Sequence, residues 1–159
     1  MAKVEAKIKH KEASNLAKEI IDEIRPLVKT FQVAGSLRRG AEEIGDVDIV
    51  VIPKEGFTEK VEEIINVTSS GKRKIYGTYK GTPINFFITE EKSWGACLMT
   101  ATGPAIYNIR KRFLVKRMGF KLNEYGLFKV SSGEYLAGET ENDIYDYLGW
   151  EHKTPAERD

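Results

Sequence analysis

The sequence predicts an α+β fold: a mixed sheet in its first part and a small, mostly helical C-terminal part. Three observations lead there. Candidate strands and helices follow one another without the regular alternation of a doubly wound sheet. The strongest strand signals lie before residue 90, and two helical patterns run in succession after it. A chain of 159 residues, 41% hydrophobic and 31% charged, can also bury a core without disulfide or metal staples.

Lys11 to Thr30 carries Leu16, Ile20, Ile21, Ile24, Leu27 and Val28 at helical spacing, so an amphipathic helix is expected, with Pro26 kinking it or starting a new turn. Phe31 to Ala34 reads as a short strand ended by Gly35-Ser36. Asp46 to Ile52 is the clearest strand, β-branched and closed by Pro53. Phe57 to Asn66 has helical spacing through Val61, Ile64 and Ile65. Lys74 to Tyr76 and Pro83 to Ile88 read as strands around a Gly77/Gly81 turn region. Ser93 to Ala101 and Ala105 to Met118 read as helices separated by Thr102-Gly103-Pro104, with Gly119 as the stop of the second. Lys121 to Asn123 and Gly126 to Val130 suggest a small terminal sheet, and Asn142 to Leu148 a last short helix. A boundary falls near residues 90–103, giving expected domains 1–96 and 97–159.

Composition removes several classes of function. No apolar run approaches the roughly 18 residues of a membrane span, and MAKVEAKIKHKEAS lacks the apolar core of a signal peptide. A soluble intracellular monomer is expected, cytoplasmic or encoded by a virus or phage, with no membrane partner. The single Cys97 excludes an intrachain disulfide. Two His and one Cys leave almost no room for zinc, so any metal is a hard cation held by carboxylates. Cys97, His10 and His152 carry no expected chemistry, and Trp94 and Trp150 read as packing residues.

The formal charge of +1 hides segregation. Ala105 to Lys121 holds Arg110, Lys111, Arg112, Lys116, Arg117 and Lys121 with no acid. Lys72, Arg73 and Lys74 form a second basic cluster, and acids dominate from Glu139 onward. A solvated helix face is the plain explanation of a basic run, but such a face gains from mixed-sign pairs. Phosphate binding is the competing one.

Two motifs carry chemistry. Gly35-Ser36-Leu37-Arg38-Arg39-Gly40 follows a strand, where glycine permits a tight turn whose N–H groups face a phosphate. Ser36 adds a hydroxyl donor, and Arg38 or Arg39 can clamp a polyphosphate. In Gly45-Asp46-Val47-Asp48-Ile49-Val50-Val51, residues two apart share a strand face, so both carboxylates project together while Val47 and Ile49 enter the core. Two like charges so placed repel each other, and Mg²⁺ bound to carboxylates and substrate phosphates offsets this. An exposed turn and a solvated strand end are the plain alternatives for each motif alone.

GSLRRG followed by GDVDIVV resembles the nucleotidyltransferase signature of family X DNA polymerases, the polymerase-beta-like group. The likeness continues in TGPAIYN (Thr102 to Asn108), Arg112, LNEYGLF (Leu122 to Phe128) and ENDIYDYLGW…PAER (Glu141 to Arg158). It implies a polymerase-beta-like palm followed by a C-terminal nucleotide-selecting subdomain, as in minimal viral and phage-like members without a lyase domain. By this resemblance Gly35, Ser36, Arg39 and Gly45 serve the triphosphate, with Ser36 and Arg39 on its β- and γ-phosphates. Asp46 and Asp48 ligate two Mg²⁺ ions, for which Mn²⁺ can substitute. Thr102, Gly103 and Asn108 contact the nucleotide and Arg112 the template side, while the acid-free basic run makes Arg110, Lys111 and Lys116 further expected nucleic-acid contacts. The family's Tyr-Phe-Thr-Gly segment matches Thr100-Ala101-Thr102-Gly103, where both aromatics are replaced by small residues.

One departure stands out. Within Pro83-Ile84-Asn85-Phe86-Phe87-Ile88, Asn85 occupies the place of the family's third catalytic aspartate. An amide can ligate through its carbonyl oxygen, but it is neutral and cannot take the proton of the 3′-hydroxyl. The resemblance implies a DNA-directed DNA polymerase that adds dNMP from a dNTP to a primer 3′ end in gapped DNA, slowed at Asn85. Template-independent nucleotidyl transfer and a weakly active or inactive DNA-gap or nucleotide-binding module remain alternatives.

Overall fold

The computed structural model describes residues 6–159, so the start of the MAKVEAKIKHKEAS segment lies outside the described residues. The chain forms two compact units, Met1–Ile88 and Thr89–Asp159.

The first unit opens with β1 (Ile8–Lys9) and α1 (His10–Ile24). Ala13, Leu16, Ala17, Ile20, Ile21 and Ile24 are buried along one face of α1, the 3.6-residue pattern of a helix lying on a sheet. The helix ends six residues before the expected Thr30, because Pro26 supports only a short 3₁₀ turn at Arg25–Leu27. There follow β2 (Val28–Ala34), the four-residue turn of helix α2 (Gly35–Arg38), β3 (Glu43–Ile44) and β4 (Val47–Pro53). Next come α3 (Phe57–Ile64), β5 (Asn66–Ser70), β6 (Lys74–Tyr79) and β7 (Thr82–Ile88).

Five strands make a mixed sheet in the order β2-β4-β7-β6-β5, parallel only between β4 and β7. One face is covered by α1 and α3. Ile20, Ile24, Phe57 and Val61 pack there on Val47, Ile49, Val51, Ile75, Ile84 and Phe86, with Phe57 edge-on to Phe86 at 5.5 Å. The opposite face carries Asp48 and Asn85, because residues alternate along β4 and β7. Gly77 lies inside β6, not in a turn; the reversal is at Lys80 and Gly81, both with positive φ.

The second unit contains α4 (Trp94–Thr102), α5 (Ala105–Arg117), β8 (Phe120–Asn123), β9 (Gly126–Lys129), β10 (Tyr135–Ala137) and α6 (Glu141–Leu148). The three strands form an antiparallel sheet in the order β10-β9-β8. Ala96, Met99, Val115, Leu122, Leu127, Ile144, Tyr145 and Leu148 make a separate core, with Trp150 against it. The tail is fastened by Arg158, which donates to Glu141 at 2.9 Å and to the Lys153 carbonyl at 3.0 Å. Among the described residues no helix is long and apolar enough to cross a membrane.

Candidate active site

The site in the first unit is assembled by strand register. Ala34 of β2 stands opposite Asp48 of β4, and Asp48 stands opposite Asn85 of β7. Gly35, Asp48 and Asn85 are therefore brought together from segments far apart in the chain. Val47 and Ile49 are fully buried in the core, which directs Asp48 to the face away from α1 and α3. Asp46 is the residue between the bend at Gly45 and the start of β4.

Gly35 couples the turn to the acids. Its φ is +60°, a left-handed conformation that favours glycine. A Cβ placed there would lie 2.0 Å from Asp48 Oδ2, so only hydrogen leaves room for the carboxylate. The turn is closed by Arg39 N–H donating to the Gly35 carbonyl at 3.1 Å and Ala41 N–H to the Ser36 carbonyl at 3.0 Å. Ser36 and Arg39 are half-buried, and Gly45 lies half-buried beside Asp46.

Asn85 binds both acids. Its amide nitrogen donates to Asp48 Oδ1 at 2.8 Å and to Asp46 Oδ2 at 3.2 Å. Burial pushes the Asp48 carboxyl up to about 6, and the neighbouring Asp46 charge adds to this; the Asn85 amide and the Arg39 guanidinium pull the other way. A desolvated acid beside a second acid is the environment that a divalent cation with oxygen ligands relieves. The donor set fits such an ion: two carboxylates share one amide nitrogen, and one of them, Asp48, lies against the Gly35 turn. Among the described residues no group of three or more His, Cys, Asp or Glu side chains is placed to hold a metal ion, and the side chain that bridges the two acids is the neutral Asn85.

In the second unit, Asn108 and Arg112 lie one helical turn apart on α5 and meet the same residue of α4. Asn108 Nδ2 donates to the Thr100 carbonyl at 2.9 Å, and Arg112 Nη2 to Thr100 Oγ1 at 3.3 Å. Thr102 and Gly103 are buried at the end of α4, before a cis Gly103–Pro104 bond. The basic run is less uniform than its sequence suggests. Arg110 and Lys116 are exposed, but the Lys111 ammonium lies 5.1 Å from the Tyr107 ring centre and 5.0 Å from that of Trp150. Lys111 thus packs on aromatic faces as a cation–π partner.

Sequence reasoning passed over Tyr76. It stands opposite Asn85 in the β6–β7 ladder and is exposed. No local signal marks it, because cross-strand register is not written in either strand.

A mixed sheet with helices on one face, and an acid pair against a glycine turn on the other, has the architecture of a nucleotidyltransferase palm. Family comparison agrees: a model described as DNA polymerase beta palm matches residues 7–124, and one described as DNA polymerase beta thumb matches residues 97–159. The chain belongs to the polymerase-beta-like family X of DNA polymerases. Similar proteins include Repair DNA polymerase X of African swine fever virus (isolate Pig/Kenya/KEN-50/1950), 32% identical over 85% of this chain and 84% of the viral protein. DNA polymerase/3′-5′ exonuclease PolX of Bacillus subtilis (strain 168) is 30% identical over 86% of this chain and 26% of its own length. DNA polymerase lambda of Rattus norvegicus is 24% identical over 79% of this chain and 28% of its own length.

Proposed function

We propose that this chain is a DNA-directed DNA repair polymerase that adds dNMP from a dNTP to a primer 3′ end in gapped DNA. The reaction is in-line attack of the 3′-oxygen on the α-phosphate, with pyrophosphate leaving. The carrying observation is the meeting of Asp48 with Gly35 on one side and with Asn85 and Asp46 on the other. The name and coverage of the viral relative support the repair assignment.

Asp46 and Asp48 are the residues that would hold two Mg²⁺ ions, which when bound neutralise the triphosphate and lower the pKa of the attacking hydroxyl. Gly35 and Ser36 present the turn to the β- and γ-phosphates, and Arg39 adds a cation to the same anion. Thr102, Gly103 and Asn108 take the sugar and base of the nucleotide. Arg110, Arg112 and Lys116 take nucleic acid, with Lys111 bracing the helix that bears them. Asn85 holds the carboxylates together but cannot receive the hydroxyl proton, so it slows the chemical step more than nucleotide binding.

Single-turnover incorporation into one-nucleotide-gapped DNA tests this reading. Asn85→Asp should raise the rate by about 10²-fold or more, the typical contribution of a positioned general base, with nucleotide affinity little changed. Template-matched incorporation by the unaltered chain is also expected. Asn85 favours one second reading, a DNA-gap or nucleotide-binding module; no rate gain with Asn85→Asp would favour it. Incorporation indifferent to the template base would instead indicate template-independent transfer.

A further inference from the structure

The sheet face that carries the acids continues past them onto β6, and its composition there is one-sided. From Asn66 to Thr89 the chain has Lys72, Arg73, Lys74 and Lys80 and no acid. Lys80 is engaged with Glu19 at 2.9 Å, and Lys74 stands at the start of β6 beside the β5–β6 reversal. Register sets the row: Asp48 opposite Asn85, Asn85 opposite Tyr76, and Tyr76 opposite Ser69 on β5. Directly paired residues project to the same face, so Tyr76 stands one strand beyond Asn85 on the acid-bearing side. In the adjacent row Lys74 stands opposite Phe87. The Lys74 ammonium lies 5.4 Å from the Phe87 ring centre and 6.0 Å from that of Tyr76. Phe87 is half-buried, whereas Tyr76 is 36% exposed.

An exposed aromatic ring with a lysine across it, on an acid-free edge, suits a polyanion that also offers flat apolar faces. A single strand of nucleic acid has both. Its neighbour Asn85 touches both carboxylates, so a strand lying on Tyr76 brings its end to the reacting centre. We propose that Tyr76 and Lys74 seat the 3′-terminal nucleotides of the acceptor DNA strand: the Tyr76 ring takes the terminal sugar and base, Lys74 a phosphate, and Phe87 holds Lys74 in place. This assignment rests on the polymerase reading and adds the acceptor contacts to it. Both are positioning residues.

The test is equilibrium binding of fluorescent gapped DNA whose primer ends in a dideoxynucleotide, so that no chemistry is needed. Tyr76→Ala should weaken binding about tenfold, as expected for loss of one stacking contact of 1–3 kcal/mol. Tyr76→Phe should restore it. Lys74→Gln should weaken binding and reduce its salt dependence by about one phosphate contact, and Lys74→Arg should recover both. Mg²⁺-dependent dNTP binding without DNA should stay unchanged in all four variants, which separates loss of the seat from loss of the fold. Unaltered DNA affinity in Tyr76→Ala and Lys74→Gln would overturn the seat and leave the polymerase reading standing. Failure of the unaltered chain to bind gapped DNA would overturn both.

Discussion

Asn85 is the residue on which the chemistry of this site turns. A carboxylate there would add a third negative charge between Asp46 and Asp48; the amide supplies a donor that reaches both at 3.2 and 2.8 Å. Even so, the pair is costly in the metal-free protein, since burial and the Asp46 charge both oppose ionisation of Asp48. Asp48→Asn removes that opposition while keeping an acceptor for Asn85. It should raise the Tm measured in EDTA, by about 2–4 °C per kcal/mol relieved, and should weaken Mg²⁺-dependent nucleotide binding while leaving it measurable. A lower Tm would show that the carboxylates are not in conflict. At this scale the sequence was informative about type and spacing: the alternation Asp46-Val47-Asp48-Ile49 alone places two acids on one face. It named Lys111 only as a nucleic-acid contact and was silent on its packing against Trp150, 39 positions away.

The elements that sequence periodicity found are those with one buried face. Helix α1 and strand β4 have strong, regular apolar patterns and appear where expected, with shifted ends. Strand β5 was missed because Asn66, Thr68, Ser69 and Ser70 are all exposed at the sheet edge, so no alternation marks it. Strands β1 and β3 are two residues each and exist through their mutual pairing, which no local pattern encodes. Glycines explain two close approaches. At Gly77 a Cβ would lie 2.5 Å from the Asn66 carbonyl oxygen, and at Gly95 it would lie 2.1 Å from the Thr140 carbonyl carbon. Both nearest atoms belong to backbone, which cannot yield by rotating a side chain, and at Gly95 they lie at the start of α6. Gly95→Ala should therefore push α4 away from the start of α6 and destabilise the second unit by about 1–3 kcal/mol. Urea unfolding followed by tryptophan fluorescence would show this; an unchanged midpoint would mean that α4 is free to shift.

Across the whole molecule, function is concentrated by topology rather than by composition. A net charge of +1 predicts no particular affinity for DNA. Yet the fold gathers an acid pair, a glycine turn and an acid-free basic edge onto one sheet face of the first unit. The second unit carries its cations on one helix around a separate core. The family resemblance in the sequence conveyed this plan because its motifs occur in the same order, whereas the Asn85–Tyr76 pairing depends on strand register.

The decisive relation is that the glycine–serine turn and the acid pair act on one ligand. A double-mutant cycle of Ser36→Ala and Asp48→Asn, read as Mg²⁺-dependent dNTP affinity without DNA, measures it directly. Ser36→Ala should weaken binding in the unaltered background and have no further effect once Asp48 is replaced. Fully additive losses, or an equal effect of Ser36→Ala with and without Mg²⁺, would contradict a shared triphosphate.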